Sequence, residues 1–250
     1  MTTINKPKIL IWDIENLPNR GYFFNVYNGP MGTLPFIEKT HSIISIAYKW
    51  FEEGEAQVIS TADFPKNLKK DPYDDSEVIK AFAKIYNEAD YTVAHYGDKH
   101  DIKMFNSRVL LNGLDPLKPV QSIDTYKLVK KHFKLNTNKL DHIGYWLGEG
   151  VKNKMEAMDW VRCANGDLEA IKKMAEYNKV DVELLEKVFI RLLPYVDTKI
   201  NSNLFAVDAP NLCPHCSSHD VIKRGSYYNK TGRKQILLCK SCSKYFNIKE

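Results

Sequence analysis

The hydrophobic pattern changes period along the chain. Lys8 to Asp13 is the first apolar run, inside Ile9-Leu-Ile-Trp-Asp-Ile-Glu15. Its apolar residues follow one another without alternation, which predicts a strand buried on both faces. Ile43 to Phe51 and Ala56 to Ser60 predict two more strands, joined by the turn Glu52-Glu-Gly-Glu55. The period then lengthens. Asp75 to Asn87 is apolar at Val78, Ile79, Phe82, Ala83 and Ile85/Tyr86, a helical stripe. Tyr91 to His95 predicts a strand, and Ile102 to Asn112 a helix that stops at Asn-Gly. Gln121 to Asp124 predicts a short strand, followed by a basic helix over Thr125 to Phe133. Leu140 to Leu147 and Met155 to Cys163 predict two further helices, the first ending at Gly148. Asp167 to Leu192 predicts a long helix with Asp167 as N-cap and Pro194 just past its end. Strands first, then helices alternating with strands, predict an α/β domain whose mixed sheet is flanked by helices.

Two stretches lack such periodicity. Asn16 to Thr40 is a long connection containing Tyr22, Phe23, Phe24 and Tyr27. It either walls a groove beside the first strand or covers the sheet. The second stretch, Pro194 to Pro210, reads as a linker. The expected organisation is a domain over residues 1–195, a linker over 196–210 and a small module over 211–250. No internal repeat stands out.

A hydrophobic fraction of 44% and an aromatic fraction of 12% suit a packed protein and exclude a disordered one. No apolar run approaches the roughly 18 residues of a membrane span. The opening Met-Thr-Thr-Ile-Asn-Lys-Pro has no signal-peptide apolar region, so the expected location is the cytoplasm, that of the host for a phage protein. The net charge is +5, but it is unevenly spread. From Asn211 to Glu250, eight Lys/Arg residues face only Asp220 and Glu250. That stretch carries +6 and leaves −1 for the rest. A near-neutral body with a basic appendage points to an anionic partner, with nucleic acid first.

The appendage also holds four of the five cysteines, as Cys213-Pro-His-Cys216 and Cys239-Lys-Ser-Cys242. Two Cys-x-x-Cys knuckles supply the thiolates of one tetrahedral Zn²⁺, a closed and therefore structural site. His215 and His219 are alternative ligands. Forty residues bury too little apolar surface alone, so the metal must supply folding energy. Val221-Ile222, Tyr227-Tyr228 and Ile236-Leu237-Leu238 predict short strands, with Lys230 to Lys234 at a hairpin tip, an arrangement that resembles a zinc ribbon. Its basic residues interleave with Tyr227, Tyr228, Tyr245 and Phe246, which suits base stacking, although some of these rings must serve the small core. A protein-docking ribbon is the alternative. Cys163 stands apart and is expected to be an inert packing residue.

The first strand ends in two carboxylates. Side chains alternate along a strand, so Asp13 and Glu15 share a face while Ile14 points the other way. Two close anions repel unless a cation lies between them, and Mg²⁺ or Mn²⁺ prefers carboxylate oxygens. Alone the pair also fits a solvated strand end. A second acid, Asp101, opens a helix after a strand and a Gly turn, where it is either an N-cap or a neighbour of Asp13 and Glu15. On the long helix, Tyr177 and Asp181 are four apart and share a face. Asp181 lies between apolar turns, so it should be partly buried and needs a partner.

Together, Asp13-x-Glu15, Asp101 within His95-Tyr-Gly-Asp-Lys-His-Asp-Ile, and Tyr177-x-x-x-Asp181 resemble the three motifs of DEDDy 3′–5′ exonucleases. That family has a ribonuclease-H-like fold and includes the proofreading domains of DNA polymerases. The spacing is similar to the stand-alone enzymes of phages and bacteria, over roughly residues 7–195. The resemblance implies that Asp13, Glu15, Asp101 and Asp181 bind two Mg²⁺ or Mn²⁺ ions and that Tyr177 orients the attacking water. It also assigns Tyr96, His100 and Arg108 to substrate binding, and Lys230, Arg233 and Lys234 of the ribbon join them. Tyr96 and His100 stand where many relatives have Asn and Phe, which touches substrate preference more than chemistry.

Two metals roughly 3.5–4 Å apart activate water and stabilise the leaving oxygen in an in-line attack on a phosphodiester. Tyr177, with a free pKa of about 10, is a poor base at neutral pH and serves by positioning. Asp124 is read as an N-cap in preference to a substrate contact. Lys127, Lys130, Lys131 and Lys134 either guide a phosphate backbone or form a solvated helix face. The expected function is metal-dependent 3′–5′ hydrolysis of single-stranded nucleic acid, DNA favoured, releasing nucleoside monophosphates. A non-catalytic nucleic-acid adaptor and a structure-specific endonuclease are the alternatives.

Overall fold

A computed structural model of the chain describes residues 7–22, 36–150, 155–196, 212–214, 216 and 218–249. Residues 197–210 of the expected linker and the aromatic residues Phe23, Phe24 and Tyr27 lie outside these residues, as does His215. The linker's expected start belongs to the body, as a 3-10 turn over Leu193–Tyr195 and the buried Val196.

The body is a five-stranded mixed sheet of β1 (Ile9–Asn16), β4 (Ile43–Trp50), β5 (Gln57–Ser60), β6 (Tyr91–Ala94) and β7 (Gln121–Asp124), in the order β5-β4-β1-β6-β7. The pairs β1–β4 and β4–β5 are antiparallel, while β1–β6 and β6–β7 are parallel. The acid-bearing strand β1 is therefore central, as its unbroken apolar run requires. The strand's period-two alternation separates two cores. Leu10, Trp12 and Ile14 pack with Phe82 of α2 (Ser76–Glu88) and Phe105 of α3 (Asp101–Leu111). Trp12 is fully buried against the Phe82, Tyr86 and Phe105 rings at 5.3, 5.6 and 5.9 Å. Ile9 and Ile11 pack on the opposite face with Val182, Leu185, Val188 and Phe189 of α7 (Leu168–Leu192). Asp13 and Glu15 continue that odd-numbered series, so they end on the side that α7 covers.

A buried ion cluster sets the position of α7. Lys49 of β4 pairs with Glu183 and Glu186, whose other oxygens accept the N–H groups of Ala56 and Glu52. The same face carries α4 (Thr125–His132) and α5 (Leu140–Leu147), and α6 (Ala157–Ala164) packs beside the N-terminal half of α7. Asp167 caps α7 by accepting from Glu169 N and Ala170 N, as its sequence position predicts. Burial pushes the Cys163 thiol up to about 11, which suits a packing role.

The structure adds four elements that periodicity did not reveal, β2 (Arg20–Tyr22), β3 (Phe36–Lys39), α1 (Pro65–Lys70) and β10 (Tyr245–Lys249). Inside the long connection, β2 and β3 form a separate antiparallel pair. The six residues of α1 bury only Leu68, too few positions for a stripe. In the C-terminal module, β8 (Val221–Asn229), β9 (Gly232–Cys239) and β10 form an antiparallel sheet in which β9 is central. The two short strands expected at Val221-Ile222 and Tyr227-Tyr228 are one continuous β8, β9 runs longer than expected, and β10 was not anticipated. The module's buried core is Cys213, Leu237, Cys239 and Phe246. Among the described residues no helix is long and apolar enough to cross a membrane.

Candidate active site

Three of the four expected acids gather at the end of β1. Asp13, Glu15 and Asp181 each offer a carboxylate oxygen, and these oxygens lie within 4.8 Å of one another. Asp181 is fully buried and the other two are half-buried. The β1–β4 register shifts between Glu15 and Asn16, a local irregularity that ends regular pairing just past the second acid. Three carboxylates this close repel one another, and the donor set is entirely hard oxygen. It therefore fits a divalent cation of the Mg²⁺ or Mn²⁺ type.

Asp101 occupies a different position. It sits at the first helical position of α3, on the other side of the sheet from α7, and its Oδ1 accepts the Ile14 N–H at 3.2 Å. It thus binds the backbone between Asp13 and Glu15 and stands outside the three-oxygen group. The neighbouring His100 is raised above the usual imidazole range, chiefly by its hydrogen bond to Asp101, with the charges of Asp101 and Glu15 adding to the effect against burial. Its Nε2 lies 3.2 Å from Asn16 Nδ2. Tyr177 is half-buried one helical turn before Asp181.

Asn178 was missed in the sequence. It is fully buried, and its Nδ2 donates to Asp13 Oδ2 at 2.8 Å. Its Oδ1 accepts from Ser45 Oγ at 3.0 Å and from Ala47 N at 2.9 Å. One amide thus ties the acid of β1 to β4 from the same helix that supplies Asp181. The available signal was an Asn inside an apolar helical stripe, where a buried amide must find partners.

Beside Asp13 opens a cavity of about 460 Å³, lined also by His95, Tyr96, Tyr126, Asn138, Lys139, Leu140 and Asp141. Asp124 organises its wall. Its carboxylate caps α4 through Tyr126 N and Lys127 N, as expected, and also accepts from Tyr96 N at 3.0 Å and Asp98 N at 3.3 Å. Burial raises its pKa against these hydrogen bonds. Tyr96 is held at a φ of +66°, uncommon for a bulky residue, with its ring edge-on to Tyr126 at 5.0 Å. His95 bridges Thr125 Oγ1 and the Asn138 carbonyl at 2.9 and 2.8 Å.

Two residues expected to bind substrate have other uses. Arg108 directs Nε and Nη2 to the buried Asp75 at 2.6 and 2.7 Å, and Asp75 also accepts from Ile43 N. A guanidinium fork spent on a buried carboxylate joins α3 to the start of α2 and β4. Lys234 is only 5% exposed, and its ammonium lies 5.7 Å from the centre of the Tyr91 ring. By contrast Lys230 and Arg233 are exposed, with Arg233 contacting Ser226 Oγ and lying 6.0 Å from the Tyr228 ring centre. Phe246 is buried in the core of the C-terminal module, which leaves Tyr227, Tyr228 and Tyr245 as its outward rings.

The four cysteines Cys213, Cys216, Cys239 and Cys242 form the second cluster, with no disulfide between them. The Sγ separations are 3.5 Å for Cys213–Cys242 and 3.6 Å for Cys216–Cys239. A regular tetrahedron of sulfurs about 2.3 Å from zinc has edges near ~3.8 Å, so the arrangement fits that metal. For Cys239 burial pushes the thiol up, but the Cys242 N–H and the neighbouring thiols outweigh it and bring the pKa down to about 6. Such a group favours the thiolate a metal requires. His219 is exposed and outside the cluster.

A family model of the RNase_H superfamily matches residues 33–193. The match spans more than half of the chain, and the protein belongs to the RNase_H superfamily. The matched segment includes Asp101, Tyr177 and Asp181, while β1 with Asp13 and Glu15 precedes it and the ribbon follows it. No curated protein matches the sequence. Among solved structures the chain is similar to the family B DNA polymerase from the hyperthermophilic archaeon Pyrobaculum calidifontis, with a TM-score of 0.56 and 15% identity. That similarity covers 89% of this chain and 31% of the polymerase, so the chain spans less than a third of its relative's length. At this identity the likeness is one of fold.

Proposed function

We propose that the protein is a metal-dependent nuclease that removes nucleotides from the 3′ end of single-stranded nucleic acid, DNA favoured. The carrying observation is the convergence of Asp13, Glu15 and Asp181 within 4.8 Å at the end of the central strand. Asp101 supports the same spot through the Ile14 N–H. When bound, a pair of Mg²⁺ or Mn²⁺ ions supplies an activated water and charge stabilisation for the leaving oxygen. The chain's own residues do the rest. Asp13, Glu15 and Asp181 hold the ions, with Asp101 completing the set from the far side of β1. Asn178 keeps the Asp13 carboxylate turned toward Asp181. Tyr177, one turn before Asp181, positions the attacking water by hydrogen bonding. The cavity beside Asp13 seats the terminal nucleotide, with Tyr96 and Tyr126 as an aromatic corner.

The ribbon, held by one structural Zn²⁺ on Cys213, Cys216, Cys239 and Cys242, retains the polynucleotide through Lys230, Arg233 and its outward tyrosines. The test uses 5′-labelled single strands of DNA and RNA with Mg²⁺ or Mn²⁺. Stepwise shortening from the 3′ end is the expected result. Internal cuts point to an endonuclease, and intact strands that remain bound point to an adaptor; either result rejects the proposal.

A further inference from the structure

We infer that the outer face of α4 and α5 is a track for single-stranded polynucleotide, carrying the nucleotides upstream of the reacting end away from the acidic cluster. The direction of the track rests on the nuclease reading; the track as a binding surface does not. Residues 125–147 contain five lysines and one acid, Asp141, a net +4 within a body over residues 1–210 whose net charge is −1. Lys127 and Lys131 lie about one turn apart on α4 with Lys130 beside them, Lys134 follows just past the helix end, and all four are exposed, Lys127 in an ion pair with Asp98. The face begins at the catalytic cavity, because Tyr126 at the start of α4 and Lys139 to Asp141 at the start of α5 line it.

Each helix then runs eight residues, about 12 Å, to an aromatic row at the far end. There Phe133 lies 4.7 Å from Tyr195 and 6.2 Å from Trp146, and His132 lies 5.6 Å from Tyr195. Trp146 is 53% exposed and the adjacent Tyr145 72%. Solvent-facing rings offer flat faces on which bases stack. Lysines spaced along a line, ending in rings, match the backbone charge and the base faces of a single strand. Continuity with the cavity selects this occupant over a docked protein.

The test measures binding of a single-stranded oligothymidylate of about 15 nucleotides to the full-length, zinc-loaded protein without catalytic divalent ions, so nothing is cut. The triple variant Lys130→Gln/Lys131→Gln/Lys134→Gln should raise Kd about tenfold or more and flatten the salt dependence of log Kd by about 2. Trp146→Ala should raise Kd roughly tenfold, and binding should quench wild-type tryptophan fluorescence more than that of Trp146→Phe. Thermal midpoints report that each variant is folded. Wild-type affinity and salt slope in the folded triple variant would overturn the track and leave this face to another partner. If the wild-type protein cuts nothing yet the triple variant binds weakly, the nuclease reading fails and the track stands. If it cuts and the variant binds normally, the track alone fails.

Discussion

The two metal-type clusters among the described residues are built in opposite ways. The carboxylates come from β1 and α7, far apart in sequence, and a large core brings them together. The thiols come from two knuckles on either side of the β8–β9 hairpin, over a core of only four buried residues among those described. In the body, packing creates the site and holds like charges close at an electrostatic cost. In the C-terminal module, the site must create much of the packing. On the proposed reading, a metal bound to the first cluster serves function, whereas a metal bound to the second is part of the fold.

The sharpest break of this contrast is Asp13→Asn. Hydrolysis should fall about a thousandfold or more while the thermal midpoint changes little, because the residue is half-buried and the isosteric amide relieves repulsion. A folded, fully active variant rejects the site. Removing zinc, by a strong chelator or Cys239→Ser, should do the reverse. The ribbon should unfold, with structural zinc worth on the order of 10 kcal/mol, while the body keeps its own transition. Limited proteolysis reads this directly: cleavage inside 212–249 with an intact body is expected. Simultaneous unfolding of both parts would mean that they stabilise each other.

Asn178→Ala sharpens the comparison by separating geometry from charge. It leaves Asp13, Ser45 and Ala47 without their shared amide and should cost about 1–3 kcal/mol of stability. Turnover should drop about 10–100-fold with a smaller change in KM, and metal affinity should weaken. Equal loss in KM and kcat would assign it a merely structural role. The smallest effect expected is that of Glu183→Gln. Lys49 and the Ala56 N–H, working against burial, hold the Glu183 carboxyl below its usual range. Its stabilisation is therefore fully present above the unfolded pKa of about 4.3 and is lost as pH falls through the lower folded value. The variant should cost about 1–2 kcal/mol at pH 7, allowing for solvent screening and the retained Glu186 partner, and nothing in strong acid. Denaturant midpoints across pH measure the convergence.

The sequence alone determined those features that depend on spacing along one element. Alternation put Asp13 and Glu15 on one face of β1, the apolar stripe of α7 made Asp181 a buried acid, and the two Cys-x-x-Cys pairs announced their cluster. The strand and helix order likewise foretold the mixed α/β body. What only the tertiary structure decided was which partners meet across elements. It tied Asp101 to the Ile14 N–H from the opposite side of the sheet, used Arg108 on Asp75, covered Lys234, and supplied Asn178 as the link between β1, β4 and α7. Local periodicity sets the direction of a side chain, but a carboxylate or guanidinium reaches several ångströms and satisfies its charge with whatever packing delivers.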